Sequence, residues 1–175
     1  MCGDGTMENS RELLIRTAQE SDLPALLDIY NYEIANTTAT FDMKERTLEE
    51  RRGWFDAHNV ENHPLIVGEI CGQVVGYASL SPYRLLEAYR ETVELSVYVD
   101  RRFRGRGIGK KLMQAILDDA RSRKDVHCVV SVITATNETS IRLHEQFGFR
   151  FCGAIHEVGQ KFGKRLDIVN YELLV

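Results

Sequence analysis

Cysteine is sparse and unpatterned in this chain: four residues, at positions 2, 71, 128 and 152, with no C-x-x-C pair and no histidine at metal-ligand spacing. A zinc site needs such spacing, so no metal is expected, and unclustered thiols fit a reducing, cytoplasmic compartment. Cys128 and Cys152 fall in apolar, strand-like runs and are expected to be buried small hydrophobes. No apolar run approaches the ~20 residues that a membrane-spanning helix requires, and the N-terminus lacks a signal-peptide core; no membrane partner is expected. Excess positive charge is missing too: the net charge of -4 argues against a dedicated nucleic-acid binder. Repeats, linkers and low-complexity tracts are likewise absent from the sequence.

What remains is 175 residues with 43% hydrophobic and 27% charged content, enough for one domain with its own core. Met1 to Ser10 is polar and reads as a disordered leader, leaving 11–175 as a single domain. Leu13 to Thr17 reads as a strand, and Ser21-Asp22 offers an N-cap to a helix with Pro24 in its first turn and apolar residues from Leu23 to Ile34. Thr47-x-x-Glu50 is a capping box opening a second helix through about His58, anchored by Trp54 and Phe55. Pro64 to Ile70 and Gln73 to Leu80 form a hairpin about Cys71-Gly72, and Ser81 to Glu91 is a loop before the strand Val93 to Val99. A helix on Ile108 to Ala120 follows, then a central strand at Val126 to Ala135 and a short helix at Ser140 to Phe147. Strands near Phe149 to Val158 and Leu166 to Val175, separated by Gly159 to Gly163, complete a mixed α/β sheet with helices on both faces.

The run Arg104-Gly105-Arg106-Gly107-Ile108-Gly109 turns a strand into a helix through three glycines. Several backbone N–H groups can then face one anion beside the positive end of the helix dipole, which describes a pyrophosphate cradle. Arg101, Arg102, Lys110 and Lys111 add charge of the right sign. A Walker loop is excluded, because Lys110 stands where its second glycine belongs and no Ser or Thr follows the lysines. A dinucleotide fingerprint fails because Lys110 also occupies its third glycine position and the loop lies deep in the chain. The spacing that fits is R-x-x-G-x-G, at Arg104, Gly107 and Gly109. A second block, Asn137-x-x-Ser140-x-x-Leu143-His144-Glu145-x-x-Gly148-Phe149, describes a short helix ending at a glycine before a strand.

In these two blocks the chain resembles the GCN5-related N-acetyltransferase superfamily. The resemblance implies a mixed, mostly antiparallel central sheet of six to seven strands flanked by helices, with acetyl-CoA as cosubstrate. Its pyrophosphate would meet Arg104, Gly105, Arg106, Gly107, Ile108, Gly109 and Lys110. Its pantetheine arm would pair with the backbone of Val97, Tyr98 and Val99 and reach Asn137 and Ser140. An amine nucleophile must lose a proton, and Glu94, between Val93 and Leu95 in the strand beside the acetyl group, is the candidate base. His144 stands where most members carry a tyrosine, so it is read as acid toward sulfur, base toward the amine, or a packing residue. Neither motif holds a cysteine, which favours direct transfer over an acyl-enzyme.

Ile29 to Glu33, Thr37 to Phe41, Thr92-Val93-Glu94, Arg142 to Glu145 and Val158 to Gly163 together are similar to the phosphinothricin and methionine sulfoximine N-acetyltransferases. That narrower resemblance implies a small amino-acid amine as substrate, gripped at its carboxylate by Arg84 and shaped by Phe41, Tyr83, Leu85 and Leu86. It also implies a homodimer, with the Thr37 to Phe41 loop completing the neighbour's site. Acetylation of protein N-termini or lysines, and a non-catalytic acetyl-CoA-binding module, stay open as alternatives.

Overall fold

The computed structural model describes residues 12–175, so the expected leader lies outside the described residues. Its elements run β1 (Leu14–Thr17), α1 (Leu23–Asn36), α2 (Leu48–Asp56), β2 (Leu65–Ile70), β3 (Gln73–Pro82), β4 (Thr92–Val99), α3 (Ile108–Ser122), β5 (Cys128–Thr134), α4 (Glu138–Gln146), β6 (Arg150–Lys161) and β7 (Lys164–Leu174). One seven-stranded sheet carries them in the order β1-β2-β3-β4-β5-β7-β6. Strands β4 and β5 are parallel while every other neighbouring pair is antiparallel, which is the mixed, mostly antiparallel α/β architecture expected. A parallel pair cannot be closed by a tight turn, and α3 supplies the crossover.

Alternation along β4 decides what each face of the sheet receives. Val93 and Leu95, with Val97 and Val99 beside them, join the core packed under Leu112, Met113, Ile116 and Leu117 of α3. Tyr98 turns the other way, toward a second core built from Leu26 and Ile29 of α1, Val67, Tyr77 and the α2 residues Trp54 and Phe55. Glu94 and Ser96 share the Tyr98 side by the same period of two. The two cores thus sit on opposite faces, and β4 divides them.

Several expectations are corrected by packing. Ser21-Asp22 does not supply the first helix's side-chain cap; the Asp22 carboxylate accepts from Arg16 Nη1 at 2.7 Å and from the Gln19 N–H at 2.7 Å. The capping box at Thr47 and Glu50 is present. Cys152 is exposed, because β6 is the edge strand and leaves its outer side open, and Cys128, the first residue of β5, is only half-buried. The last hairpin is longer than the sequence suggests: Gly159, Gln160 and Lys161 continue β6, and the turn is Phe162-Gly163, both with positive φ. Gly159 is a packing glycine, since a Cβ there would collide with the Phe41 ring.

Candidate active site

The parallel pair that divides the two faces comes apart. Thr92, Val93 and Glu94 pair with Cys128, Val129 and Val130, and the ladder stops there although β4 continues to Val99 and β5 to Thr134. Beyond Glu94, β4 therefore has a ladder partner on its β3 side alone, and the backbone of Val97 and Val99 borders the gap. Such an edge is a template for an extended amide-bearing chain. Ser131, the first β5 residue past the last pair, carries a buried hydroxyl with no partner among the described residues.

The glycine loop lies just past the end of β4. Gly105 and Gly107 both have φ of 75°, in the left-handed region that side chains disfavour, and a Cβ on either would meet nothing within 4 Å. Gly107 is the N-cap of α3 and offers no side chain, so the N–H groups of Ile108, Gly109 and Lys110 precede the first intrahelical bond, from the Lys111 N–H to the Gly107 carbonyl. The Ile108 side chain is buried in the α3 core, so only its backbone is available to a ligand. Gly109 packs closely beside Val99 and Leu143, which sets α4 next to the start of α3. Arg106 and Lys110 are exposed. Arg104 is already engaged: its Nη2 pairs with the buried Glu33 of α1, and its Nε donates to the Val99 carbonyl at 3.3 Å.

On α4, Asn137 is a true N-cap, its side-chain oxygen accepting from the Ser140 N–H at 3.2 Å. His144 is buried, its ring edge-on to Phe149 with centroids 4.9 Å apart. Its Nδ1 lies 2.7 Å from the Ser140 carbonyl. A carbonyl only accepts, so Nδ1 carries the proton and Nε2 the lone pair. Burial lowers the His144 pKa, outweighing that hydrogen bond, which keeps the ring neutral. A neutral imidazole suits a base or a packing role better than an acid.

Opposite the α3 face is a cavity of about 290 Å³ lined by Tyr30, Asp42, Arg46, Glu50, Arg51, Trp54, Tyr77, Ser79, Ser96 and Tyr98. Its floor is sheet, where Tyr77 pairs with Tyr98 and Ser79 with Ser96; the next pair on that side is Ser81 with Glu94. Its wall is the α1–α2 segment: Asp42 accepts from the Tyr30 hydroxyl at 2.9 Å and pairs with Arg46. Glu94, half-buried, has its carboxyl pKa raised by burial, as a proton acceptor working near neutrality requires.

The expected cofactor backbone and Glu94 thus meet at one fork, with Glu94 at its root. Tyr98 is different: its side chain lines the cavity on the far side of the sheet, leaving only its backbone toward the gap. None of Phe41, Tyr83, Arg84, Leu85 and Leu86 lines the cavity. Arg84 lies over the rings of Tyr83 and Tyr89, at 5.2 and 5.6 Å, and Leu85 is 95% exposed. Phe41 packs against Gly159 of β6. The Thr37 to Phe41 loop is anchored on its own chain, with the Thr38 carbonyl bonded to Thr134 and the Thr40 carbonyl accepting from Lys161 Nζ at 2.7 Å.

Sequence reasoning missed Tyr30, Arg51, Tyr77, Ser79 and Ser96, which come from four separate elements. One signal was there: Arg51 precedes the single tryptophan, Trp54, by three residues, a spacing that stacks the two on one helix face.

The acetyltransferase (GNAT) family model matches residues 26–149. An L-methionine sulfoximine/L-methionine sulfone acetyltransferase of Pseudomonas paraeruginosa is 42% identical over 160 residues, 91% of this chain and 92% of that protein. A phosphinothricin N-acetyltransferase of Streptomyces coelicolor is 41% identical over 170 residues, 95% of this chain and 98% of its own length. Among solved structures, a GNAT superfamily phosphinothricin acetyltransferase from Sinorhizobium meliloti in complex with AcCoA superposes with a TM-score of 0.89 at 29% identity, covering 93% of this chain and 88% of that one. With the forked sheet and the glycine cradle in place, these matches show that the chain belongs to the GNAT acetyltransferase family.

Proposed function

We propose that this protein transfers the acetyl group of acetyl-CoA directly to the α-amine of a small amino-acid analogue of the methionine sulfone, methionine sulfoximine or phosphinothricin kind. One observation carries the reading: the β4–β5 fork begins at Glu94 and opens toward the backbone cradle past Val99, while a polar cavity lies on the sheet face that Glu94 shares with Ser96 and Tyr98. The names of these relatives, which match over more than nine-tenths of both chains, point to the substrate class.

The residues present fit the cosubstrate. Left-handed glycines, three N–H groups without intrahelical partners and the cations Arg106 and Lys110 suit a diphosphate, and the unbonded Ser131 hydroxyl suits the polar arm. Acetyl-CoA supplies the acetyl as an activated thioester. The chain's own work lies on the amine. Aliphatic amines are protonated at neutral pH. Glu94, its pKa raised by burial, accepts that proton directly or through a water. His144, neutral and with Nδ1–H held by Ser140, presents Nε2 as a lone pair. Asn137 and Ser140 fix the start of α4 beside the arm. Cys128 is half-buried with its thiol pKa raised by burial, and Cys152 sits on the sheet's edge strand, so neither is poised as an acyl carrier.

A homodimer is part of the proposal. Phe151, Ile155, Val158 and Phe162 leave a row of apolar side chains exposed along β6 and its turn, more than a lone edge strand ordinarily shows to water. A cytoplasmic setting accords with the absence, among the described residues, of a helix long and apolar enough to cross a membrane.

Thiol release from acetyl-CoA, measured with methionine sulfone, methionine sulfoximine, phosphinothricin and a peptide panel, tests the reading. Turnover of the amino-acid analogues is expected. Turnover of peptides alone would assign the protein to N-terminal or lysine acetylation, and cofactor binding without any turnover would make it a sensor.

A further inference from the structure

His58 closes the turn after α2, its N–H donating to the Phe55 carbonyl at 2.9 Å and its ring lying against Trp54, centroids 4.4 Å apart. It is buried and does not line the cavity. Both ring nitrogens are engaged: Nδ1 lies 2.7 Å from the Trp54 carbonyl oxygen and Nε2 lies 2.9 Å from the Ser81 hydroxyl. A carbonyl only accepts, so Nδ1 carries the proton, and in a neutral ring Nε2 is an acceptor. Burial lowers the His58 pKa, His63 and Arg51 add to this, and the bond to Trp54 does not offset them, so the ring stays neutral. Ser81 is therefore the donor to Nε2. A hydroxyl has one proton, and with that proton committed Ser81 can offer only lone pairs to anything else.

What stands beside those lone pairs is Glu94. Ser81 is the β3 residue directly opposite it on β4. Side chains so paired share one face of the sheet with Cβ atoms about 5 Å apart, within reach of a bond between hydroxyl and carboxyl or of one bridging water. Val130 is the β5 partner of Glu94, and Thr92 and Ser96 flank it on its own strand and face; none of these ionises. Burial alone raises the Glu94 pKa, with no charged group acting on it.

We propose that His58 is a positioning residue for the base: by taking the Ser81 proton it leaves Ser81 able only to accept, so Glu94 meets an acceptor once it has taken the amine's proton and no donor before. This rests on the reading of Glu94 as the base. A hydroxyl free to turn would donate to the carboxylate and make it a weaker base; a hydroxyl held by His58 favours the protonated carboxyl instead.

Carboxyl-carbon NMR of glutamate-labelled protein, with the Glu94 signal assigned by its loss in Glu94→Gln, reads the titration of Glu94 without turnover. The pH dependence of kcat on methionine sulfone reads it in the reaction. In His58→Leu the Ser81 hydroxyl is released to donate to the carboxylate, and both midpoints should fall by about 1 in pH, tenfold in proton affinity. A more apolar side chain would by itself raise them, so the direction separates a freed hydroxyl from a change of surroundings. In a Ser81→Ala background the same change at His58 should bring no fall. His58→Gln, whose amide oxygen can still accept from Ser81, should hold the wild-type midpoints. His58→Phe, which keeps a ring against Trp54, carries the comparison if His58→Leu does not fold. A fall that persists without the Ser81 hydroxyl, or lost kcat with unmoved midpoints, would make His58 structural and overturn the inference while leaving the proposed function standing. An NMR midpoint that moves as expected, with no amino-acid analogue turned over, would sink the proposed function and spare the His58–Ser81 pair. A moving NMR midpoint with a fixed kinetic one would remove Glu94 as the base, and the inference with it.

Discussion

The two faces of β4 are built by different means. On the α3 side the site is main chain: two left-handed glycines, a helix start without a cap and a strand whose ladder has ended. On the α1–α2 side it is side chain: an arginine among aromatic rings, two serines, and a wall of paired charges. A backbone site needs contiguous sequence, because the conformation of one turn creates it. A side-chain site can be gathered from elements far apart. Under the proposed function, one face would recognise what every cycle shares, the other what varies.

The largest expected break in that contrast is Gly107→Val. A β-branched residue is poorly tolerated at φ of 75°, so the helix start should distort and acetyl-CoA affinity fall by about 100-fold or more. Nothing lies within 4 Å of the added Cβ, so internal crowding is not the cause. Titration calorimetry showing unaltered affinity would remove the cradle from the account. Next comes Glu94→Gln, which should lower kcat at least tenfold near neutral pH with little change in cofactor affinity. Wild-type rate should climb with pH through the raised Glu94 pKa, since the base must be deprotonated, and the variant should lose that limb. An unchanged pH–rate profile would reject the assignment.

A smaller effect concerns stability. Burial lowers the pKa of both His58 and His144, so as the pH falls through the ordinary histidine value, about 6.5, the unfolded chain takes up protons that the fold refuses. These groups therefore contribute stability above that pH and lose it below. Melting curves should show His144→Leu flattening the decline between about pH 7.5 and 5.5; an identical slope would mean that the ring is not held neutral. The smallest effect is none: Cys128→Ser and Cys152→Ser should leave kcat within about twofold. A labelled acetyl-enzyme trapped without acceptor would contradict direct transfer.

The same contrast explains what could be read in advance. Arg104 to Gly109 and Asn137 to Phe149 were legible because local spacing encodes a helix start and a helix end. The cavity was not, because Tyr77 and Ser79 look like ordinary alternating strand residues until the register sets them beside Tyr98 and Ser96. Gly159 misled for a related reason: it resembles a breaker, but its lack of a Cβ answers to Phe41, 118 positions earlier in the chain. The exposed Cys152 follows from an edge position beside the irregularity at Gly153, which hydropathy does not report.

That tie between Phe41 and β6, with the bonds from Thr134 and Lys161 to Thr38 and Thr40, fastens the α1–α2 segment to the far end of the sheet. Asp42 is the very next residue. The closing hairpin is for that reason no dispensable tail: an engineer trimming the protein from its C-terminus would unseat a wall of the polar cavity before deleting any residue that lines it.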